Sequence, residues 1–149
     1  METAVLFQIS HVAPCGINCG TCKAFRRVRN RCSGCMSAQG PKVNHCMTCN
    51  IRYCESLTKT VSKFCSECEK FPCLKIIKID KRYQAKYETS LILNLRTIDR
   101  IGIGSYLQLE IARWTCPDCG SLLCVHESSC QKCGKTYVDP LYQKNILIT

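Results

Sequence analysis

Two short stretches, Cys116-Pro-Asp-Cys119-Gly and Cys130-Gln-Lys-Cys133-Gly, carry the plainest chemistry in the chain. In each, a tight turn brings backbone N–H groups toward two sulfurs, and the glycine supplies the conformation that closes the turn. Ten residues separate the two knuckles, enough for a hairpin that carries both cysteine pairs to one tetrahedral ion. Four thiolates around a zinc ion leave no open position beside a general base, so the expected site is structural. Cys124 and His126 lie on the intervening loop. Either could replace a knuckle cysteine, or both could stand aside from the metal.

A larger cluster precedes it. Its order is Cys15-x3-Cys19-x2-Cys22-x9-Cys32-x2-Cys35, then Cys46-x2-Cys49-x4-Cys54, then Cys65-x2-Cys68-x4-Cys73. The last two groups are an internal repeat displaced by 19 residues. Eleven cysteines supply two four-sulfur ions with three left over, or three ions if His11 or His45 gives a twelfth ligand. The preferred division places one ion among Cys15, Cys19, Cys22, Cys32 and Cys35, and a second among Cys49, Cys54, Cys65, Cys68 and Cys73. With the knuckle site, this predicts three or more zinc ions.

Other metal readings fit less well. The repeated triplets resemble binuclear six-cysteine clusters that place a helix in the DNA major groove, but the inner spacing is short and no dimerising coiled coil follows. Cys15-x3-Cys19-x2-Cys22 has the spacing of radical S-adenosylmethionine enzymes, whose α/β barrel this chain is too short to build. The tight cysteine run of bacterial ferredoxins is absent. A lone iron–sulfur cluster in the first module is the competing cofactor.

Sixteen cysteines in 149 residues demand a staple, because the 59 residues of the first cluster cannot bury much apolar core. Disulfides would suit a secreted protein. The start, Met1-Glu2-Thr3-Ala4-Val5-Leu6-Phe7-Gln8, has no basic opening and a broken apolar stretch, so it does not read as a secretory signal. No apolar run is long enough for a membrane span. Twelve cysteines sit in CxxC pairs, a spacing that suits one ion better than a native disulfide. The expectation is a cytoplasmic, metal-stapled protein.

The formal charge is +10 with neutral cysteines. Each zinc held by four thiolates carries −2, so three such sites bring the balance to about +4. Basic residues gather at Lys23, Arg26, Arg27, Arg29 and Arg31, and again at Lys75, Lys78, Lys81, Arg82 and Lys86. They read as solvated faces that offset thiolate charge. A phosphate-tracking surface through Arg26, Arg27, Arg29 and Arg31 is the nucleic-acid alternative, although aromatic stacking platforms are sparse.

The elements that must position these groups are helical. A short helix is expected to link the repeated triplets over residues 55–62. Pro72 suits the first turn of a helix, followed by Ile76, Ile79, Tyr83 and Tyr87 at helical spacing. A second helix is expected from Ser90 to Ile101, stopped by Gly102. A third is expected to begin at Ser105 with a Ser105-x-x-Gln108 capping box. The apolar tail from Val138 either adds a strand or frays. The domain expectation is a cysteine-rich metal-binding module at 11–73, a helical segment at 74–113, a zinc ribbon at 114–137 and a tail at 138–149.

Ala13-Pro14-Cys15-Gly16-x-x-Cys19, then Cys32-Ser33-Gly34-Cys35, then Cys65-x-x-Cys68-x-x-Phe71-Pro72-Cys73 resemble a cysteine-rich family of bacteria and archaea catalogued only as a domain of unknown function. Asp80-Lys81-Arg82-Tyr83, Asn94-Leu95 and the closing Cys124-Val125-His126 are similar to it too, so the resemblance covers roughly residues 13–135. It implies metal binding, with zinc as the metal, and supplies no activity. Cys46 is the cysteine that matches the pattern least.

Together these features predict a small metal-stapled α+β protein: a multi-zinc module, a short helical middle and a C-terminal zinc-ribbon hairpin. No catalytic constellation is present. There is no nucleophile elbow, phosphate-binding glycine loop, HExxH or paired-carboxylate motif. The expected role is a non-enzymatic adaptor or regulator that presents rigid surfaces to a protein partner. The alternatives are a nucleic-acid-binding zinc protein and an iron–sulfur or redox accessory protein.

Overall fold

The computed structural model describes residues 7–36, 40, 47 and 49–143. Cys46 and His45 lie outside these residues. Four α-helices are described: α1 (Lys23–Arg26), α2 (Leu74–Tyr87), α3 (Leu91–Ile101) and α4 (Ile103–Arg113). Short 3-10 turns at Ile9–His11, Cys19–Thr21, Glu55–Lys59 and Cys65–Glu67 shape the N-terminal loops. No strand forms among the described residues. The β component of the expected α+β fold is reduced to three isolated antiparallel bridges, Val12 with Asn18, Thr115 with Leu122 and Ser129 with Thr136.

Helix α3 is the centre of the fold, and its sequence explains why. Ser90 caps it by accepting from the Leu93 N–H at 3.1 Å, and Gly102, at φ +84°, ends it. Leu91, Leu95 and Ile98 recur on one face and are buried, each worth about 1.5–3 kcal/mol on leaving water. That face meets α2, α4 and the Cys65–Glu67 turn. The same core takes in Val12, Ala13, Cys15, Cys19, Ile51, Leu57, Phe64 and Cys65. Cysteines of the first cluster are thus built into the apolar core that the helices complete.

Module and helix approach each other closely at Gly16. A Cβ there would lie 2.9 Å from both the Leu91 carbonyl oxygen and the Leu95 side chain, and its φ of +94° already favours glycine. Asn94 Nδ2 donates to the Gly16 carbonyl at 3.1 Å. Buried Asp80 sets the corner between α2 and α3 by accepting from Ser90 Oγ at 2.8 Å and from the Ile92 N–H at 3.0 Å.

Several expected boundaries shift. Helix α2 begins at Leu74 with Cys73 as its N-cap, so Pro72 lies before the helix and not in its first turn. Helix α4 begins at Ile103 after Gly102. Ser105 falls inside the first turn, where no side-chain cap is made, so the expected capping box is not used. The linking helix of 55–62 is a 3-10 turn, Glu55–Lys59. Lys75, Lys78, Lys81, Arg82 and Lys86 are all exposed on α2, as their spacing implies. No helix among the described residues is long and apolar enough to cross a membrane.

A second core forms where residues 114–137 meet the helices. Phe7, Trp114, Cys116, Leu123, Val125 and Cys130 are buried together, with Ile17, Leu107 and Ile111 packed against them. Beside it runs a buried polar seam that sequence patterning does not reveal. Arg113, 4 % exposed, donates to Asp139, to Asn94 Oδ1 at 2.9 Å, to Glu110 Oε1 at 2.9 Å and to Thr89 Oγ1 at 3.1 Å. Asp139 also accepts from Thr89 Oγ1 at 2.6 Å. Of the tail, Asp139 is therefore docked by this seam, and residues 144–149 lie outside the described ones.

Candidate metal centre

The two knuckles are near-copies offset by fourteen positions. The Gly120 N–H donates to Cys116 O and the Gly134 N–H to Cys130 O, both at 2.9 Å. The Cys116 N–H meets Ser121 O, and the Cys130 N–H meets Lys135 O, both at 2.8 Å. Outside them, the Leu123 N–H donates to Trp114 O and the Tyr137 N–H to Ser128 O. Each turn closes through a left-handed glycine, Gly120 at φ +76° and Gly134 at φ +79°, which a side chain would strain. Two identical turns face each other, and their four sulfurs meet.

The ligand atoms of Cys116, Cys119, Cys130 and Cys133 all lie within 4.8 Å of one another. Cys116 and Cys133 sulfurs are 3.7 Å apart, and those of Cys119 and Cys130 are 3.5 Å apart. A zinc–sulfur bond of about 2.3 Å puts tetrahedral sulfurs roughly 3.8 Å apart. The donor set and its spacing therefore fit a tetrahedral, thiolate-binding ion. The Cys133 N–H, and after it the Lys132 N–H, donate to the Cys130 sulfur and draw its pKa down to about 6. The Lys135 N–H favours ionisation of Cys133, yet burial and the three neighbouring thiols outweigh it and push Cys133 up to about 11. Charge placed on one sulfur opposes charge on the next, and a divalent cation removes that conflict.

The N-terminal cysteines are arranged differently. Among the described residues, no second group of three or more cysteine, histidine or carboxylate ligand atoms is gathered so that it could hold an ion. Their neighbours are as follows. Burial pushes the Cys19 thiol up to about 12, and charge at Cys35, Cys22 or Cys32 would raise it further. Burial likewise takes Cys65 to about 12, with Cys73, Cys54, Cys68 and Cys49 as its charged neighbours. Cys15 lies between these groups. Burial raises it, the Ile17 N–H opposes that rise, and Cys35, Cys49 and Cys65 add to it. The Cys35 N–H reaches the Cys19 sulfur at 3.3 Å, and the Arg52 N–H reaches Cys49 at 3.5 Å. No disulfide joins the described cysteines.

The histidines fall elsewhere. His126 accepts from the Lys23 N–H through Nδ1 at 3.2 Å, and its Nε2 meets Tyr83 Oη at 3.2 Å. It also packs against the Tyr83 and Tyr87 rings. Both ring nitrogens are thus committed to docking the knuckle loop on α1 and α2. His11 accepts from the Gln8 N–H and packs beside Phe25. Of the arginine loop, Arg26 donates to Leu122 O at 2.9 Å, while Arg27 and Arg31 donate through Nε to Asn30 O and Phe25 O. Of these, only the Arg26 contact joins distant segments, and it has no signature in the sequence.

Residues 11–78 match the model of a family described as a protein of unknown function (DUF3795). The matched stretch contains all eleven N-terminal cysteines and stops within α2, so the knuckle pair and the later helices lie outside it. No curated protein matches the chain, and neither does any solved structure. The similarity is to an uncharacterised family and brings no activity with it.

Proposed function

We propose that this chain is a non-enzymatic zinc protein, acting as an adaptor or regulator that offers rigid surfaces to a protein partner. The supporting observation is the convergence of Cys116, Cys119, Cys130 and Cys133 at tetrahedral spacing. Such a set saturates a zinc ion and leaves no coordination position for substrate. In this reading residues 114–137 are a zinc ribbon, and two or more further ions draw their ligands from among Cys15, Cys19, Cys22, Cys32, Cys35, Cys49, Cys54, Cys65, Cys68 and Cys73.

The protein-partner reading draws on exposed apolar side chains of the cysteine-rich half. Val28 is 94 % exposed, Val61 93 % and Leu74 84 %. Protein interfaces are built from contiguous exposed apolar side chains, and these three are the candidates for such a surface. For the nucleic-acid alternative, Arg26 is held by Leu122 O, while Arg27 and Arg31 use only Nε on local carbonyls and stay exposed.

The test compares wild type with a Val28→Ser, Val61→Ser, Leu74→Ser variant of equal zinc content in affinity capture. Loss of a specific partner in the variant supports the adaptor. Nanomolar binding to one DNA or RNA sequence overturns it, if that binding is lost in an Arg27→Ser, Arg29→Ser, Arg31→Ser variant with zinc intact.

A further inference from the structure

The knuckle loop lies against the start of the cysteine-rich module through four contacts. The Val125 N–H donates to Thr21 O at 2.9 Å, and the Lys23 N–H donates to His126 Nδ1 at 3.2 Å. Arg26 Nη2 donates to Leu122 O at 2.9 Å, and Lys23 Nζ pairs with Glu127 at 3.4 Å. Cys22 sits between Thr21 and Lys23, and Cys124 precedes Val125. The docking register therefore sets Cys22 and Cys124 beside each other, although they come from different cysteine clusters.

Cys124 also has the local geometry of the knuckle sulfurs. It is buried, and the N–H two residues on, at His126, donates to its sulfur. The same bond from the second following residue is made to Cys130 by Lys132 and to Cys133 by Lys135. Cys15 receives it from Ile17 and Cys54 from Ser56. Around Cys124 the charged neighbours are Arg26, Glu127 and Cys22, and Cys22 in turn neighbours Cys19. Cys124 thus lies in the neighbourhood of the N-terminal sulfurs, which are not drawn together into a ligand group here, while His126 has both ring nitrogens engaged elsewhere.

The ligand count points the same way. Eleven N-terminal cysteines are one short of three four-thiolate ions, and the knuckles already supply a complete set without Cys124.

We propose that Cys124 is a metal ligand of the N-terminal cluster and shares one ion with Cys22. The ion is a thiophilic divalent cation of the zinc class. It fastens the C-terminal segment to the cysteine-rich module, so the two cysteine clusters are one metal-linked unit. This rests on the metal-binding reading above, and the test separates the two.

The full chain is loaded with cadmium-113 without oxygen, and cysteine β-protons are correlated with the metal by NMR. Correlation of Cys22 and Cys124 with one common cadmium is expected, and Cys124→Ser should lower the metal content by one ion per chain. A cadmium shared by Cys116, Cys119, Cys130 and Cys133, with Cys124 correlated to none or to that same ion, overturns the proposal and leaves the metal reading standing. No cadmium correlation at any cysteine overturns both. A Cys22–Cys124 disulfide in protein kept from oxygen overturns the proposal as well.

Discussion

The two cysteine regions hold their sulfurs by different means. In residues 114–137 the assembly is local: two copies of one turn, each closed by a glycine and a backbone bond, bring four sulfurs to tetrahedral spacing. In residues 12–73 the sulfurs are spread through a core that includes α2, α3 and α4. Cys15, Cys19 and Cys65 pack there beside Leu91, Leu95 and Ile98. A metal site encoded by short turns depends on its ion for order, whereas one embedded in a helical core has packing to support it. The difference predicts which half of the molecule loses its structure first when metal is withdrawn.

The largest effect is expected at the knuckles. Replacing Cys119 and Cys133 together by Ser should remove one zinc per chain, counted by native mass spectrometry. Structural zinc supplies on the order of 10–16 kcal/mol in zinc-finger peptides, far more than these residues can recover by packing. Amide resonances of 114–137 should lose dispersion while those of α3 keep theirs. Equal collapse of both regions, or an unchanged zinc count, would break the comparison.

Next is Arg113, which joins α4 to α3 and to Asp139. Arg113→Met strands Glu110 and Asp139 as unpaired buried charges, and such losses cost about 3–5 kcal/mol. Urea denaturation at fixed zinc content should show the loss with the metal count unchanged. A variant as stable as wild type would show that the seam contributes nothing to the helical half.

The same seam responds to pH. Burial alone would raise Asp139, but Arg113 outweighs it and holds the carboxyl below the ordinary Asp range. A depressed folded pKa means that the stabilisation is present above the unfolded value and is lost as pH falls through the folded one. Stability should therefore decline in acid below the usual Asp range, and by less in Asp139→Asn than in wild type at matched metal content. Identical acid profiles for the two proteins would remove Asp139 from the account.

The smallest effect is at the rim of the knuckles. Lys135 Nζ and Asp118 Oδ1 pair at 3.0 Å with both side chains about half exposed. Asp118→Asn should change stability by no more than about 1 kcal/mol. A larger loss would mean that the ribbon depends on surface charge as well as on its ion.

What the sequence disclosed follows the same division. The knuckle ligands were legible because their chemistry is encoded within five residues, Cys-x-x-Cys-Gly, repeated once. Helix α3 was legible from Ser90, the Leu91–Leu95–Ile98 spacing and Gly102, all local signals. The start of α4 differs from the expectation because Ser105 has the pattern of a cap, while Gly102, less than one turn earlier, already serves as the N-cap. The pairing of Cys22 with Cys124, the commitment of His126 to Tyr83 and Lys23, and the Arg113 seam were not legible. Each joins residues brought together only by tertiary packing. A histidine two residues from a cysteine looks the same in sequence whether it faces a metal or a tyrosine.

The account stands most directly on the metal itself. Full-length protein purified without oxygen should be colourless and carry at least three zinc ions per chain by elemental analysis, with one of them lost when Cys119 and Cys133 are replaced. A brown preparation containing iron, or protein that keeps the order of residues 114–137 after every metal ion has been chelated away, would contradict it.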